Sequence, residues 1–217
     1  MLDLLLPQRC AACAAPGAQL CQACIETLPR LEAPLCDRCG APTAWPVRRC
    51  RECAGRRIAF AHARAAVAYD EHVRKLVGAW KERGLRRLVG PAAAIVAEAV
   101  ERPQGEVVAF VPGDVDRGLR RGHHPAEALA RELAALWELP LAALLERPHH
   151  LPRQRGLTRS ERRKNVTGAF RAGTAPKAVV LVDDVYTTGA TAGAAASALR
   201  AAGARAVEVV TFARAVR

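Results

Sequence analysis

Residues 179–191 read Val-Val-Leu-Val-Asp-Asp-Val-Tyr-Thr-Thr-Gly-Ala-Thr, and no other stretch restricts the fold as tightly. Four branched apolar residues stopping at two adjacent carboxylates predict a strand buried on both faces. The alanine-rich segment Ala190 to Ala202, closed by Gly203, predicts a helix directly after the turn. A strand, turn and helix in that order belong to an open α/β sheet. There the turn sits at the carboxyl end of the strand, where ligands collect, and the helix presents free N–H groups to an anion.

The turn has the chemistry of a phosphate cradle. Thr187, Thr188 and Thr191 supply hydroxyl donors, and Gly189 lets the backbone approach a ligand closely. Asp183 and Asp184 repel a phosphate but accept hydrogen bonds from neighbouring sugar hydroxyls, so the expected ligand is a sugar phosphate. No G-x-x-x-x-G-K-[ST] and no G-x-G-x-x-G before a helix occurs, which argues against a nucleoside triphosphatase P-loop or a dinucleotide fold. The segment Val179 to Thr191 resembles the ribose-phosphate signature of type I phosphoribosyltransferases, which bind 5-phosphoribosyl-1-diphosphate (PRPP). That resemblance places Asp183, Asp184, Val185, Tyr186, Thr187, Thr188, Gly189, Ala190 and Thr191 around PRPP.

The other end of the chain is unlike this one. All eight cysteines fall in the first 53 residues, as the C-x-x-C pairs Cys10/Cys13, Cys21/Cys24, Cys36/Cys39 and Cys50/Cys53. Two thiolates three residues apart grip one metal ion, and two such pairs complete a tetrahedral zinc site, so eight cysteines predict two zinc ions. Short loop closure favours consecutive pairs, Cys10/Cys13 with Cys21/Cys24 and Cys36/Cys39 with Cys50/Cys53; a cross-brace through the first and third pairs is the alternative. Sites filled by four thiolates hold a fold and leave no position for substrate. Disulfides are the other use of paired cysteines, disfavoured here because Met1 to Pro7 is too short, and carries Asp3, to be a secretion signal. No apolar stretch reaches the roughly 18 residues needed to span a bilayer, and a cytoplasmic location with no membrane insertion is expected.

Beyond Ile58 cysteine vanishes, which places an expected boundary between a zinc module, 1–57, and an α/β domain, 58–217. Within the second part, strands are expected at Ala63 to Tyr69, Val107 to Val111 and Val207 to Phe212, besides the one at Val179. Helices are expected at Glu71 to Glu82, Leu85 to Glu101 and Pro125 to Glu138. Alternating strands and helices predict a mostly parallel sheet covered on both faces.

Charge adds a second anion signal. The net charge is +12, and Arg147 to Arg171 carries eight basic residues against one acid, Glu161. Arg153, Arg155, Arg159, Arg162, Arg163 and Lys164 form its centre, a basic loop suited to diphosphate, to a nucleic-acid backbone, or to both. Val111 and Pro112, with Arg117, Arg120 and Arg121 after them, end the second expected strand where a pyrophosphate would bind, and Lys81 is placed to reach the same point.

The full order of motifs is similar to that of ComF family proteins. It runs from four cysteine pairs to Lys81 before Gly84, then Val111-Pro112 with Arg120-Arg121-Gly122. Next come Gln154, Leu157, Ser160-Glu161-Arg162, Asn165 and Gly168-Ala169-Phe170, and finally the Val182 to Thr191 turn. One departure stands out: the family usually has R-G-F-N-Q where this chain has Arg121-Gly122-His123-His124-Pro125, and His123 or His124 either substitutes for the missing Asn and Gln or, the favoured reading, belongs to a helix-start pair. The resemblance implies a PRPP-binding, phosphoribosyltransferase-like protein using Mg²⁺ with PRPP, associated with DNA uptake in competent bacteria. Asp183, Asp184 and Arg121 would then be its catalytic groups. The competing expectation is a non-enzymatic single-stranded nucleic-acid binder in which PRPP is regulatory or vestigial. Aromatic platforms for it are few: of nine aromatic residues, only Trp45 and Phe170 lie near basic stretches.

Overall fold

The computed structural model describes residues 8–113, 123–148 and 169–216. Its core is a four-stranded parallel sheet of β1 (His62–Ala68), β2 (Val107–Phe110), β5 (Ala178–Tyr186) and β6 (Ala206–Arg214), in the spatial order β1-β6-β5-β2. A separate antiparallel pair joins β3 (Leu145–Glu146) to β4 (Arg171–Ala172). Alternation along the strands sorts the sheet into two faces. Val108, Val180, Val182, Val210 and Phe212 pack with α2 (Glu71–Lys81), α3 (Val89–Ala99) and α4 (Pro125–Leu136). Val107, Ala109, Val179, Leu181, Val207 and Val209 pack with α5 (Ala190–Ala201) on the other side. The expected mostly parallel sheet with helices on both faces is therefore the fold.

Local chemistry explains the helix limits. Asp70 caps α2 by accepting the Val73 N–H at 2.8 Å, a contact of the kind that contributes about 1 kcal/mol, and Lys81 ends the helix where its dipole favours a cation. The single helix expected over Leu85 to Glu101 is instead a 3₁₀ turn, Arg86–Leu88, leading into α3. Pro91 accounts for that start, since a residue without an N–H is tolerated in a first turn.

β5 also runs further than its apolar run implies. It passes through both carboxylates to Tyr186 because β6 stays beside it, pairing Asp183 with Thr211 and Tyr186 with Arg214. Strict alternation lapses over this stretch, since Val182 and Val185 both pack on the α2 side while Tyr186 packs on the α5 side. The lapse turns Tyr186 and Arg214 toward the cysteine-rich segment.

That segment straddles the edge of the sheet. Residues 29–31 run antiparallel to β1, with the Ala68 N–H donating to the Pro29 carbonyl at 2.8 Å and the Leu31 N–H to that of Ala66 at 3.0 Å. Before this crossing, the stretch that contains the short helix α1 (Gln22–Glu26) packs Cys10, Leu20 and Leu28 onto the α2 and α3 side. After it, Cys36, Cys39 and Cys53 pack onto the α5 side with Phe60 and Tyr186. Gly40 permits the close approach: its φ is 68°, and a Cβ there would lie 2.5 Å from the Ala63 carbonyl oxygen.

Candidate functional site

Parallel pairing brings the predicted elements to one edge of the sheet. β2 lies beside β5 with Phe110 opposite Val182, and the Val111 N–H donates to the Val182 carbonyl at 2.9 Å. Val111 is buried there, so Pro112 and Gly113 leave the sheet next to the carboxylates. Arg117, Arg120, Arg121 and the basic loop of Arg153, Arg155, Arg159, Arg162, Arg163 and Lys164 lie outside the described residues.

The two aspartates point to opposite faces and have different partners. Asp183 lines a shallow crevice together with Val185, Tyr186, Thr187, Gly189, Thr191, Ala192 and Thr211. Asp184 is buried and pairs with Lys81, Nζ to Oδ2 at 2.5 Å. Lys81, expected to serve a pyrophosphate, thus holds a carboxylate of the same site. Desolvation, followed by the charge of Asp184, raises Asp183 to about 8; the Asp184 N–H and Lys81 act in the opposite direction.

The turn between β5 and α5 forms the rest of the crevice. Gly189 caps the helix at φ 72°, and the first bond of the helix runs from the Gly193 N–H to the Gly189 carbonyl at 2.8 Å. The Thr191 and Ala192 amides precede that bond and are oriented as an anion site requires. Thr188 Oγ1 accepts the Ala190 N–H at 3.3 Å, which leaves the hydroxyl proton available to a ligand. Thr187 and Thr188 are exposed.

The cysteines form two separate clusters, Cys10/Cys13/Cys21/Cys24 and Cys36/Cys39/Cys50/Cys53, each with its sulfur atoms within 4.8 Å of one another. The pairing is consecutive, and the cross-brace does not occur. Sulfur separations are 3.6 Å for Cys13–Cys21, 3.6 Å for Cys36–Cys53, 3.5 Å for Cys39–Cys50 and 3.9 Å for Cys50–Cys53. A tetrahedron with zinc–sulfur bonds of about 2.3 Å has edges of about 3.8 Å, so both clusters fit a structural zinc ion. Burial opposes ionisation of Cys10 and Cys36. Backbone donors, Cys13, Cys21 and Ala12 for the first and Cys39, Cys50 and Arg38 for the second, outweigh it and lower them to about 6 and about 7. Cys24 and Cys39 are raised, by burial first and by neighbouring sulfurs in addition. Each cluster gathers more thiolate charge than it can hold without a cation.

Comparison with known proteins agrees with this arrangement. A family model described as a double zinc ribbon domain matches residues 1–54. Competence protein F of Haemophilus influenzae is 28% identical over 209 residues, covering 90% of each chain. The similarity to competence protein F runs through nearly the whole of both chains. Two solved structures are similar to this chain over part of their length. Orotate phosphoribosyltransferase from Aeropyrum pernix has a TM-score of 0.32 and 22% identity, over 68% of this chain and 67% of that one. Purine phosphoribosyltransferase from Pyrococcus horikoshii Ot3 has a TM-score of 0.33 and 16% identity, over 58% of this chain and 81% of that one.

Several residues of the site carried no motif. His123, read from sequence as part of a helix-start pair, hydrogen-bonds through Nε2 to the Trp80 carbonyl at 2.9 Å; a carbonyl only accepts, so Nε2 carries the proton. His124 precedes α4 without a side-chain cap bond. Arg56, just beyond the last cysteine, donates to the Thr188 carbonyl at 2.7 Å. Arg214 is fully buried under Tyr186, its Cζ 4.7 Å from the ring centroid. The only signal for Arg214 was a charge at the end of an apolar strand. No helix among the described residues is long and apolar enough to cross a membrane.

Proposed function

We propose that the crevice at the end of β5 binds PRPP and that the protein is a phosphoribosyltransferase-like enzyme of the ComF type, with a role in DNA uptake. The observation that carries this reading is the joint lining of one crevice by Asp183, Thr187, Gly189 and Thr191 at the N-terminus of α5. Asp183 accepts the ribose hydroxyls, while Thr187, Thr188, Thr191 and the first amides of α5 hold the 5-phosphate. Asp184, held in place by Lys81, helps to orient the ribose. Among the described residues no third carboxylate joins the two aspartates. Mg²⁺ would be held mainly by PRPP oxygens and would supply positive charge for the leaving diphosphate.

Transfer would break the bond from the anomeric carbon to diphosphate oxygen, with the electron pair leaving on diphosphate. An acceptor nitrogen then forms the new bond and loses its proton. Positive charge develops on the ring in between, and a site that positions the ribose beside two carboxylates favours it. Arg121 and the 153–164 loop supply the positive charge that the departing diphosphate needs. Equilibrium dialysis with radiolabelled PRPP and Mg²⁺ tests the assignment. Saturable retention of one ligand per chain, competed by ribose 5-phosphate, is expected; no retention rejects it.

One observation favours a second reading, single-stranded nucleic-acid binding. Trp45 is 68% exposed on the second ribbon, and Arg48, Arg49 and Arg51 nearby in the chain are exposed as well. An aromatic face among arginines stacks a base and contacts backbone phosphates. The salt dependence of oligonucleotide binding tests this reading.

A further inference from the structure

The second cysteine cluster and the phosphate turn are joined by two separate connections. The first passes through Arg214, whose side chain is 1% exposed. Its guanidinium donates to the Cys39 carbonyl at 2.6 Å and to Glu52 Oε2 at 2.7 Å, and its Nη2 lies 3.7 Å from Cys39 Sγ. The same group covers the face of Tyr186, whose ring also meets Phe60 edge-on at 6.2 Å. Tyr186 in turn fills the space below the turn: a Cβ built on Gly189 would lie 2.2 Å from its hydroxyl oxygen. The second connection is Arg56, which follows Cys53 by three residues and holds the Thr188 carbonyl. Among the described residues no contact of this kind leads to the turn from the first cluster, which packs on the opposite face of the sheet.

We propose that Arg214, with Arg56, is a positioning residue that makes the conformation of the 187–191 turn depend on the metal centre formed by Cys36, Cys39, Cys50 and Cys53. A buried guanidinium needs its acceptors. The Cys36–Cys39 knuckle presents the Cys39 carbonyl and sulfur only while the four thiolates are gathered on one ion. When that centre opens, Arg214 loses two of its contacts, Tyr186 loses the cation on its face, and the turn loses the surface that fixes Gly189. The first centre has no such role. The second zinc site is then more than a fold staple: its loss by chelation or thiol oxidation loosens the phosphate turn.

The dependence is reciprocal, because a ligand that orders the turn must also hold the metal more firmly. This last consequence rests on the PRPP reading; the coupling of metal centre to turn does not.

Amide hydrogen exchange over residues 187–193 of the full zinc-loaded chain tests the coupling, alongside zinc release to a colorimetric chelator. Arg214→Lys and Cys50→Ser should each raise exchange in the turn by about tenfold, the scale of losing a hydrogen bond to a charged group, while Cys13→Ser leaves it within about twofold. Unchanged exchange in Arg214→Lys, or an equal rise in Cys13→Ser and Cys50→Ser, overturns the proposal. If Arg214→Lys does not fold, the exposed Arg56→Ala carries the test: faster exchange at 187–191 supports the coupling and unchanged exchange refutes it. In the wild type, PRPP with Mg²⁺ should slow zinc release from the second centre, and Arg214→Lys should abolish that protection. Coupled exchange in a chain that does not bind PRPP would sink the ligand assignment and leave the coupling intact. Tight PRPP binding with no exchange response would do the reverse.

Discussion

Lys81 Nζ stands 2.5 Å from Asp184 Oδ2, joining the last turn of α2 to the end of β5. The contact separates two carboxylates that are neighbours in the chain: Asp184 is neutralised by a lysine, and Asp183 faces the crevice alone.

Lys81→Met leaves Asp184 buried without its cation. Because Lys81 remains partly exposed, the expected loss is about 1–2 kcal/mol of unfolding free energy rather than the larger penalty of a fully enclosed pair. Adding Asp184→Asn should recover part of it. Urea unfolding of the four members of this cycle gives the coupling, and additive losses would show that the pair is not an energetic unit.

Gly189 sits at φ 72° with the Tyr186 hydroxyl where a Cβ would go. Gly189→Ala therefore combines left-handed strain of about 1–2 kcal/mol with a steric overlap that displaces the turn. A lower melting temperature should accompany loss of PRPP binding, both measurable on one sample. Unaltered affinity would mean that the turn does not contact the ligand.

Protonation of Asp183 acts on stability and affinity in opposite directions. Its carboxyl is raised from 3.8 to about 8, by desolvation first and Asp184 second, so the folded state favours the neutral acid. The stability this provides is complete below pH 3.8 and is lost as pH rises through about 8. Ribose hydroxyls require the carboxylate, so PRPP affinity should rise by up to roughly tenfold per pH unit below 8 and level off above it. Affinities measured from pH 6 to 9 check this, and Asp183→Asn should flatten the profile.

Two zinc ions per chain are expected by elemental analysis, one for each four-cysteine cluster. Cys50→Ser should reduce the content to one, and chelation of both should unfold residues 8–57, since thiolate clusters of this kind supply folding free energy directly. A zinc content unaffected by Cys50→Ser would contradict the consecutive pairing.

Oligonucleotide binding through the arginine-rich ribbon surface should weaken steeply with salt and ignore sequence. Each phosphate neutralised on a single strand adds about 0.7 to the slope of log affinity against log salt. Trp45→Ala should reduce affinity by roughly tenfold, the scale of one stacked base. Fluorescence anisotropy at several salt concentrations measures both.

What the sequence made legible was local. The strand before Asp183, the glycine turn and the C-x-x-C knuckles each draw their chemistry from residues within a few positions of one another. Pairings across the chain left no such trace: Arg56 meets Thr188 132 residues away, and Arg214 meets Cys39 at a distance of 175. Nor did hydrophobic pattern reveal that β5 continues past its carboxylates, because the backbone pairing with β6 that extends it is indifferent to side-chain polarity. Period-two alternation would also place Tyr186 on the face of Val182, whereas the lapse after Asp184 turns it to the ribbon side. His123 was legible as a helix start but not as a donor to Trp80, since that bond depends on where α2 ends.

Calorimetric titration of the zinc-loaded chain with PRPP in the presence of Mg²⁺, repeated with Asp183→Asn, tests the central claim most directly. Saturable binding by the wild type, weakened roughly tenfold or more by the substitution, is the predicted result, on the scale of a lost hydrogen bond to a charged group. Equal affinity in the two proteins, or no binding by the wild type, would contradict a sugar-phosphate site at the end of β5.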